Sequence, residues 1–205
     1  MQFPGYRILI FAKAPVPGTC KTRLVPALSE WGAAGLSGAL TLHLLAMLGE
    51  ARVAPAILCC TPDCGHPLFQ RRGEEKWVQR GNDLGERMLD AAGRALEEAG
   101  RVLLVGTDCP ALSAGYLERA FRALERSDVV IGPAEDGGYV LLGLKKLDAS
   151  LFRGIAWGTS AVLDQTLQRV VELEWRYELL ETLWDVDRPE DLMRLRRDFP
   201  AIFSG

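Results

Sequence analysis

Three short runs limit what this chain can fold into: YRILIFA at residues 6–12, PAILCCT at 55–61 and RVLLVGTD at 101–108. Each is apolar along almost its whole length, without the alternation of a strand that has one wet face. That is the pattern of strands buried on both sides in a parallel sheet. Longer stretches between and after them repeat their apolar residues at helical spacing. Residues 29–51 read as a helix with Ser29 as a candidate N-cap. Residues 83–100 read as a helix closed by glycine, and 113–126 as one capped by Ser113. WVQR at 77–80 is a short strand, and 128–145 reads as two strands around a glycine turn. Residues 159–173 and 188–199 are helical, with Pro189 suited to a first turn. The alternation predicts an α/β fold, a mostly parallel central sheet flanked by helices on both faces. Without internal repeats, low-complexity tracts or linkers, residues 1–205 read as one domain.

The chain is 48% hydrophobic and 25% charged, enough for a sizeable core, and its net charge of -3 gives no general attraction to nucleic acid or an anionic membrane. No uninterrupted apolar run reaches the ~18 residues of a membrane span, and the N-terminus lacks the layout of a signal peptide. The expected location is cytoplasmic. Five cysteines, an odd number, fit reduced thiols better than a disulfide framework. Cys59, Cys60, Cys64 and His66 are close in sequence and could ligate zinc, but they contain no C-x-x-C pair, and strand-end thiols are the simpler reading.

Ligands of open α/β sheets bind outside the carboxyl ends of the strands. Three unusual stretches follow predicted strands: KAPVPGTCKTRL (13–24), GTDCP (106–110) and GPAEDGGY (132–139). The first is neither a P-loop, since Gly18 stands three residues before Lys21, nor a dinucleotide fingerprint. It is a proline-stiffened loop, with Pro15 and Pro17 fixing the backbone, Gly18 allowing close approach, and Lys13, Lys21 and Arg23 available to phosphate oxygens. A solvated surface turn is its alternative. Asp108, at a strand's carboxyl end, is placed to hold Mg²⁺ or Mn²⁺, or else to cap the turn before the next helix. A second carboxylate would be Asp187, Asp136 or Asp185, in that order, although Asp187 also suits the N-cap of the helix at 188. In AEDGGY, Glu135 or Asp136 could grip substrate hydroxyls while Gly137 and Gly138 let backbone approach, or the glycines form only a hairpin turn. QRGNDLGERM (79–88) could wrap a planar base or be a loop capped by Asn82 or Asp83. Trp157 would stack on a ligand or cover the core. His43 lies in an apolar helical pattern, and the chain's two histidines offer no Ser/His/Asp arrangement for hydrolysis.

The stretches FAKAPVPGTCKTRL, QRGNDLGERM, VGTDCPAL, GPAEDGGYVLLGL, IAWGTSAVLDQT and LWDVDRPEDL, in that order, resemble a bacterial family of glycosyltransferase-like proteins, the DUF2064 type. Some of its members carry names from arsenosugar biosynthesis or radical-enzyme gene neighbourhoods. The resemblance runs from about Ile8 to Leu195 and implies a compact glycosyltransferase-A fold, related to molybdenum-cofactor and phospholactate guanylyltransferases. It implies a nucleotide-phosphate site at Lys13, Pro15, Gly18, Lys21 and Arg23, a base site at Gly81, Leu84 and Gly85, and a metal on Asp108, helped by Asp187. It also implies an acceptor or sugar site at Glu135, Asp136, Gly137, Gly138 and Trp157, with Lys21, Asp108 and Asp136 catalytic. Two departures stand out: the first loop is poorer in glycine than in nucleotidyltransferases, and Thr107-Asp108-Cys109 offers one carboxylate where many sugar transferases have D-x-D. The expected activity is metal-dependent transfer of a glycosyl group from a nucleotide-sugar to a small acceptor. Transfer of a nucleoside monophosphate and a non-catalytic nucleotide-binding module are the alternatives. The oligomeric state is open, a homodimer included.

Overall fold

The computed structural model describes residues 1–70 and 73–203. Seven strands, β1 (Tyr6–Lys13), β2 (Ala56–Thr61), β3 (Glu75–Val78), β4 (Arg101–Gly106), β5 (Val129–Pro133), β6 (Tyr139–Leu144) and β7 (Tyr177–Leu179), form one sheet in the order β3-β2-β1-β4-β6-β5-β7. The three apolar runs become its centre: β1 pairs in parallel with β2 and with β4, Ile10 lying opposite Leu58 on one side and Val105 on the other. The sheet is parallel except for β6, which enters antiparallel between β4 and β5. The glycine turn after β5 makes that reversal, because a hairpin can only return its second strand against the first.

The described residues form six α-helices: α1 (Val25–Ala51), α2 (Pro67–Gln70), α3 (Leu84–Leu96), α4 (Ala114–Arg126), α5 (Val162–Glu172) and α6 (Asp191–Asp198). Successive strand residues serve opposite faces. Ile8, Ile10, Leu58, Leu103 and Val105 pack with Leu44, Leu45 and Leu48 of α1 and with Leu117, Phe121 and Leu124 of α4. Leu9, Ile57, Cys59, Val102 and Leu104 pack with Met88, Ala91 and Ala95 of α3 and Val170 of α5. Fully burying such aliphatic side chains stabilises the fold by roughly 1.5–3 kcal/mol each, which explains why residues 8–12, 56–60 and 102–105 of the central strands hold no charged residue. A third, smaller cluster joins Leu24, Leu36 and Leu40 near the start of α1 to Trp184, Val186, Leu192 and Leu195 near the C-terminus.

The run Thr22–Ala51 has the length and, with a mean hydropathy of 1.4, the composition of a membrane span, which a count of uninterrupted apolar residues overlooks. Within the fold 56% of that window is buried, and packing on the sheet accounts for its apolar residues. Helix α1 begins before the expected Ser29, yet the backbone breaks there (φ 64, ψ 169) and Gly32 N–H donates to Ser29 Oγ at 3.3 Å. Ser29 therefore does cap the long helical segment. Helix α3 ends at Leu96, earlier than expected, and α5 and α6 each start three residues later. Strand β7 and helix α2 were not anticipated.

Candidate active site

The first loop leaves β1 at Lys13 and folds around one carbonyl. Val16 O accepts Thr19 N–H at 3.1 Å and Thr19 Oγ1 at 2.9 Å, while Lys13 Nζ donates to Thr19 O. Gly18 (φ 76) and Lys21 (φ 50) both take left-handed backbone, so the chain turns twice within four residues. The second turn sends Lys21 inward. Its side chain is 4% exposed, and Nζ lies 2.8 Å from Asp108 Oδ1 and donates to Val186 O. Arg23 reaches the carboxylate of Asp187.

Asp108 follows β4 in the sheet's ligand edge and is half exposed. Its carbonyl accepts Val186 N–H at 2.9 Å, which draws residues 183–187 across the edge. There the DVD triplet behaves as extended chain: Val186 is fully buried in the third cluster and the two aspartates point away from it. Asp187 does not cap α6. Asp191 accepts the backbone N–H groups of Asp187 and Arg188 at 3.0 and 2.7 Å, leaving the Asp187 carboxylate to Arg23.

Three contiguous depressions result. One of about 470 Å³ is lined by Lys13, Lys21, Thr22, Arg23, Leu84, Gly106, Asp108 and Asp187. One of about 370 Å³ is lined by Glu135, Asp136, Ser160, Trp184, Asp185, Asp187, Arg188 and Asp191 and shares Arg23 with the first. A smaller one of about 150 Å³ connects them, faced by Asp108, Asp136, Asp185 and Tyr139. Burial, then the charges of Asp136 and Asp108, push the Asp185 carboxyl up to about 6. No three His, Cys, Asp or Glu side chains among the described residues converge on one point to hold a metal unaided. A half-buried carboxylate facing other carboxylates nevertheless suits a divalent cation completed by further oxygens. Asp185, with Asp108 and Asp136 around the same small depression, has that setting, while Asp187 is bound to Arg23 as Asp108 is to Lys21.

Several expected residues have other work. Gly137 (φ 89) and Gly138 form the turn; Asp136 Oδ1 accepts Gly138 N–H at 2.8 Å, and Leu163 N–H donates to Gly137 O at 3.0 Å. Glu135 is held by both oxygens to Arg194, whose guanidinium lies 4.4 Å above the Trp184 ring. Pro15, Gly18 and Gly81 lie in loops and Gly85 in the first turn of α3, and none of them lines these three depressions. Trp157 packs on the core and on Gly85, and the aromatic facing the acidic depression is Trp184, a residue the sequence reading passed over. Asp83 caps α3, accepting Glu86 N–H at 2.8 Å, while Glu86 accepts from Asn82 N–H. His43 Nε2 sits 3.2 Å from Pro110 O, a structural contact. Cys59 and Cys60 serve opposite faces of β2, and burial pushes the Cys59 thiol up to about 12, so these cysteines are packing residues.

The model of the bacterial family described as "Uncharacterized protein conserved in bacteria (DUF2064)" matches residues 44–159, more than half of the chain. The chain belongs to this family. Among solved structures it is similar to a candidate nucleotide-diphospho-sugar transferase from Desulfovibrio desulfuricans, with 29% identity, a TM-score of 0.88, and coverage of 98% of this chain and 94% of that one. It shares its fold, at 19% identity and a TM-score of 0.55, with 2-C-methyl-D-erythritol 4-phosphate cytidylyltransferase from Thermus thermophilus, covering 96% and 98% of the two chains. A Mycobacterium tuberculosis protein in complex with manganese also shares the fold, at 17% identity and a TM-score of 0.54, covering 94% and 98%. No curated protein matches the chain. The family match and the fold agree with the resemblance read from the sequence.

Proposed function

We propose that this chain is a metal-assisted transferase that passes the glycosyl group of a nucleotide-sugar to a small hydroxyl-bearing acceptor. The observation that carries this reading is the charge contrast between the two larger depressions. The first, with Lys13, Lys21 and Arg23 against Asp108 and Asp187, keeps a positive balance and suits the donor's diphosphate. The other has five carboxylates, Glu135, Asp136, Asp185, Asp187 and Asp191, against Arg23 and Arg188. A phosphorylated acceptor would meet net negative charge there, whereas a polyol would find acceptors for its hydroxyl protons. Asp136 and Asp185 have no ion pair among the described residues and so remain free to take one.

In the reaction, the acceptor oxygen bonds to the anomeric carbon and the bond from that carbon to the diphosphate breaks. The hydroxyl proton passes to Asp136 or Asp185, and the nucleoside diphosphate leaves with the bonding electrons. Lys21 and Arg23 neutralise the charge that develops on the leaving group. Mg²⁺ or Mn²⁺, held by Asp108 and completed by Asp185 or Asp136, would supply further neutralisation.

A second reading, nucleotidyl transfer, is favoured by the three cations of the first loop and by the fold shared with a cytidylyltransferase. One experiment separates the readings. The protein is incubated with nucleotide-sugars or nucleoside triphosphates, a polyol or sugar-phosphate acceptor, and Mg²⁺ or Mn²⁺, and the released product is identified. Nucleoside diphosphate release is expected. Pyrophosphate release would replace the proposal by the second reading, and nucleotide binding without any product would leave a binding module.

A further inference from the structure

Leu84, the first residue of α3, lines the donor depression where the resemblance puts the base, and the next residue is pressed against an indole. A Cβ on Gly85 would stand 2.8 Å from Trp157 Nε1, 3.0 Å from Cζ2 and 2.7 Å from Phe152 O. No side chain fits in that space, so the edge of the Trp157 ring and the start of α3 are in direct contact. The opposite side of the junction is equally tight. The chain continues from Trp157 through Gly158 and Thr159 to Ser160, which line the acidic depression. A Cβ on Gly137 would stand 2.8 Å from Ser160 Cα and 2.9 Å from Ser160 C. The loop is braced further: Ala156 N–H donates to Gln165 Oε1 at 2.7 Å, Thr159 Oγ1 donates to Ala156 O at 2.8 Å, and Tyr139 meets the Trp157 ring edge-on at 6.5 Å.

We infer that Trp157 is a positioning residue whose ring edge sets the height of the α3 N-terminus, and with it the base end of the donor site, against the braced acceptor turn. It touches neither ligand. The inference rests on the donor depression holding a nucleotide, as proposed above. Shortening the ring would let Leu84 and the Gly81–Asp83 loop settle inward, and the base would lose its seat while the diphosphate kept the first loop.

Calorimetry with two probes tests this. One is the ribonucleoside triphosphate, of CTP, UTP, GTP and ATP, that the wild-type protein binds most tightly with Mg²⁺. The other is inorganic pyrophosphate with Mg²⁺. Trp157→Phe should weaken triphosphate binding about five- to tenfold and leave pyrophosphate affinity unchanged, whereas Leu167→Ala, a truncation elsewhere in the same core, should alter neither. The inference is overturned if Trp157→Phe binds both probes as wild type does, or if both variants lose affinity for both probes alike. Wild-type protein that binds neither probe would overturn the donor site itself, an outcome distinct from the other two.

Discussion

Lys21 enters the site with its charge already matched, between Asp108 and the carbonyl of Val186. A donor phosphate has to draw it away from one or both, so its removal affects binding more than an exposed lysine would. Lys21→Ala should weaken nucleotide binding ten- to a hundredfold, the loss of a charge-assisted contact of about 1.5–3 kcal/mol. Lys145→Ala is the fitting control. Lys146 is not, because it pairs at 3.1 Å with the buried Asp128. Equal affinities for wild type and Lys21→Ala would remove the loop from the site. Asp185 yields a pH prediction. Its carboxyl titrates in the fold at about 6, above the ordinary 3.8, so the folded state prefers it protonated. That contribution is full below about 4 and is lost as pH rises through 6. In EDTA, Asp185→Asn should therefore stabilise the protein at pH 7.5 by roughly 1–3 kcal/mol and change little at pH 4; the same shift at both pH values would refute the assignment. The placement of Asp108 and Asp136 at the candidate site was legible because they closely follow β4 and β5, and that of Lys21 because it lies in the loop that leaves β1. That Lys21 pairs with Asp108, and that Asp185 faces Asp108 and Asp136 while Asp187 pairs with Arg23, was not legible. Both depend on Val186 being buried by residues distant in sequence.

A helix start and a hairpin turn depend on unusual backbone. Ser29 holds φ 64, ψ 169, a region open essentially to glycine, and partly offsets the strain by accepting from Gly32 N–H. Ser29→Gly relieves the strain and, at an N-cap, forfeits only a few tenths of a kcal/mol, so it should leave the melting temperature unchanged or raise it. Ser29→Val should lower stability by more than about 1 kcal/mol; a stable valine variant would show the break to be unstrained. Gly137→Ala meets backbone of Ser160, which cannot rotate aside, and should destabilise by about 2 kcal/mol or more in denaturant titration. Central strands and caps such as Ser113 and Asp83 could be read from sequence because their signals are local. β7 could not: YEL is a three-residue edge strand, half polar, with no periodicity to betray it. The place of β6 was also hidden, since a hairpin announces its turn but not which older strand will accept it.

At the scale of the molecule, the cationic and acidic depressions lie where β6 reverses the sheet between β4 and β5, and the segment after β7 crosses back to close them. A ligand gripping both should stabilise the whole. Nucleotide at a hundred times its Kd with Mg²⁺ should add about 2.7 kcal/mol, some 5–10 °C in Tm, and EDTA should cancel most of the gain; an EDTA-insensitive shift would argue against a cation at Asp108. The sheet order has one more consequence, for the chain as it is made. β1 leaves the ribosome well before its second neighbour, β4, which begins at Arg101. At about 5–20 residues per second, the ILIFA edge stays open for roughly 5–20 seconds after synthesis of β1. An open, apolar strand edge is a template for pairing with another chain. Nascent fragments that stop between β2 and β4 should therefore bind chaperones or aggregate, and those that extend past Leu144, where β4 has closed that edge and β6 has covered β4, should be released.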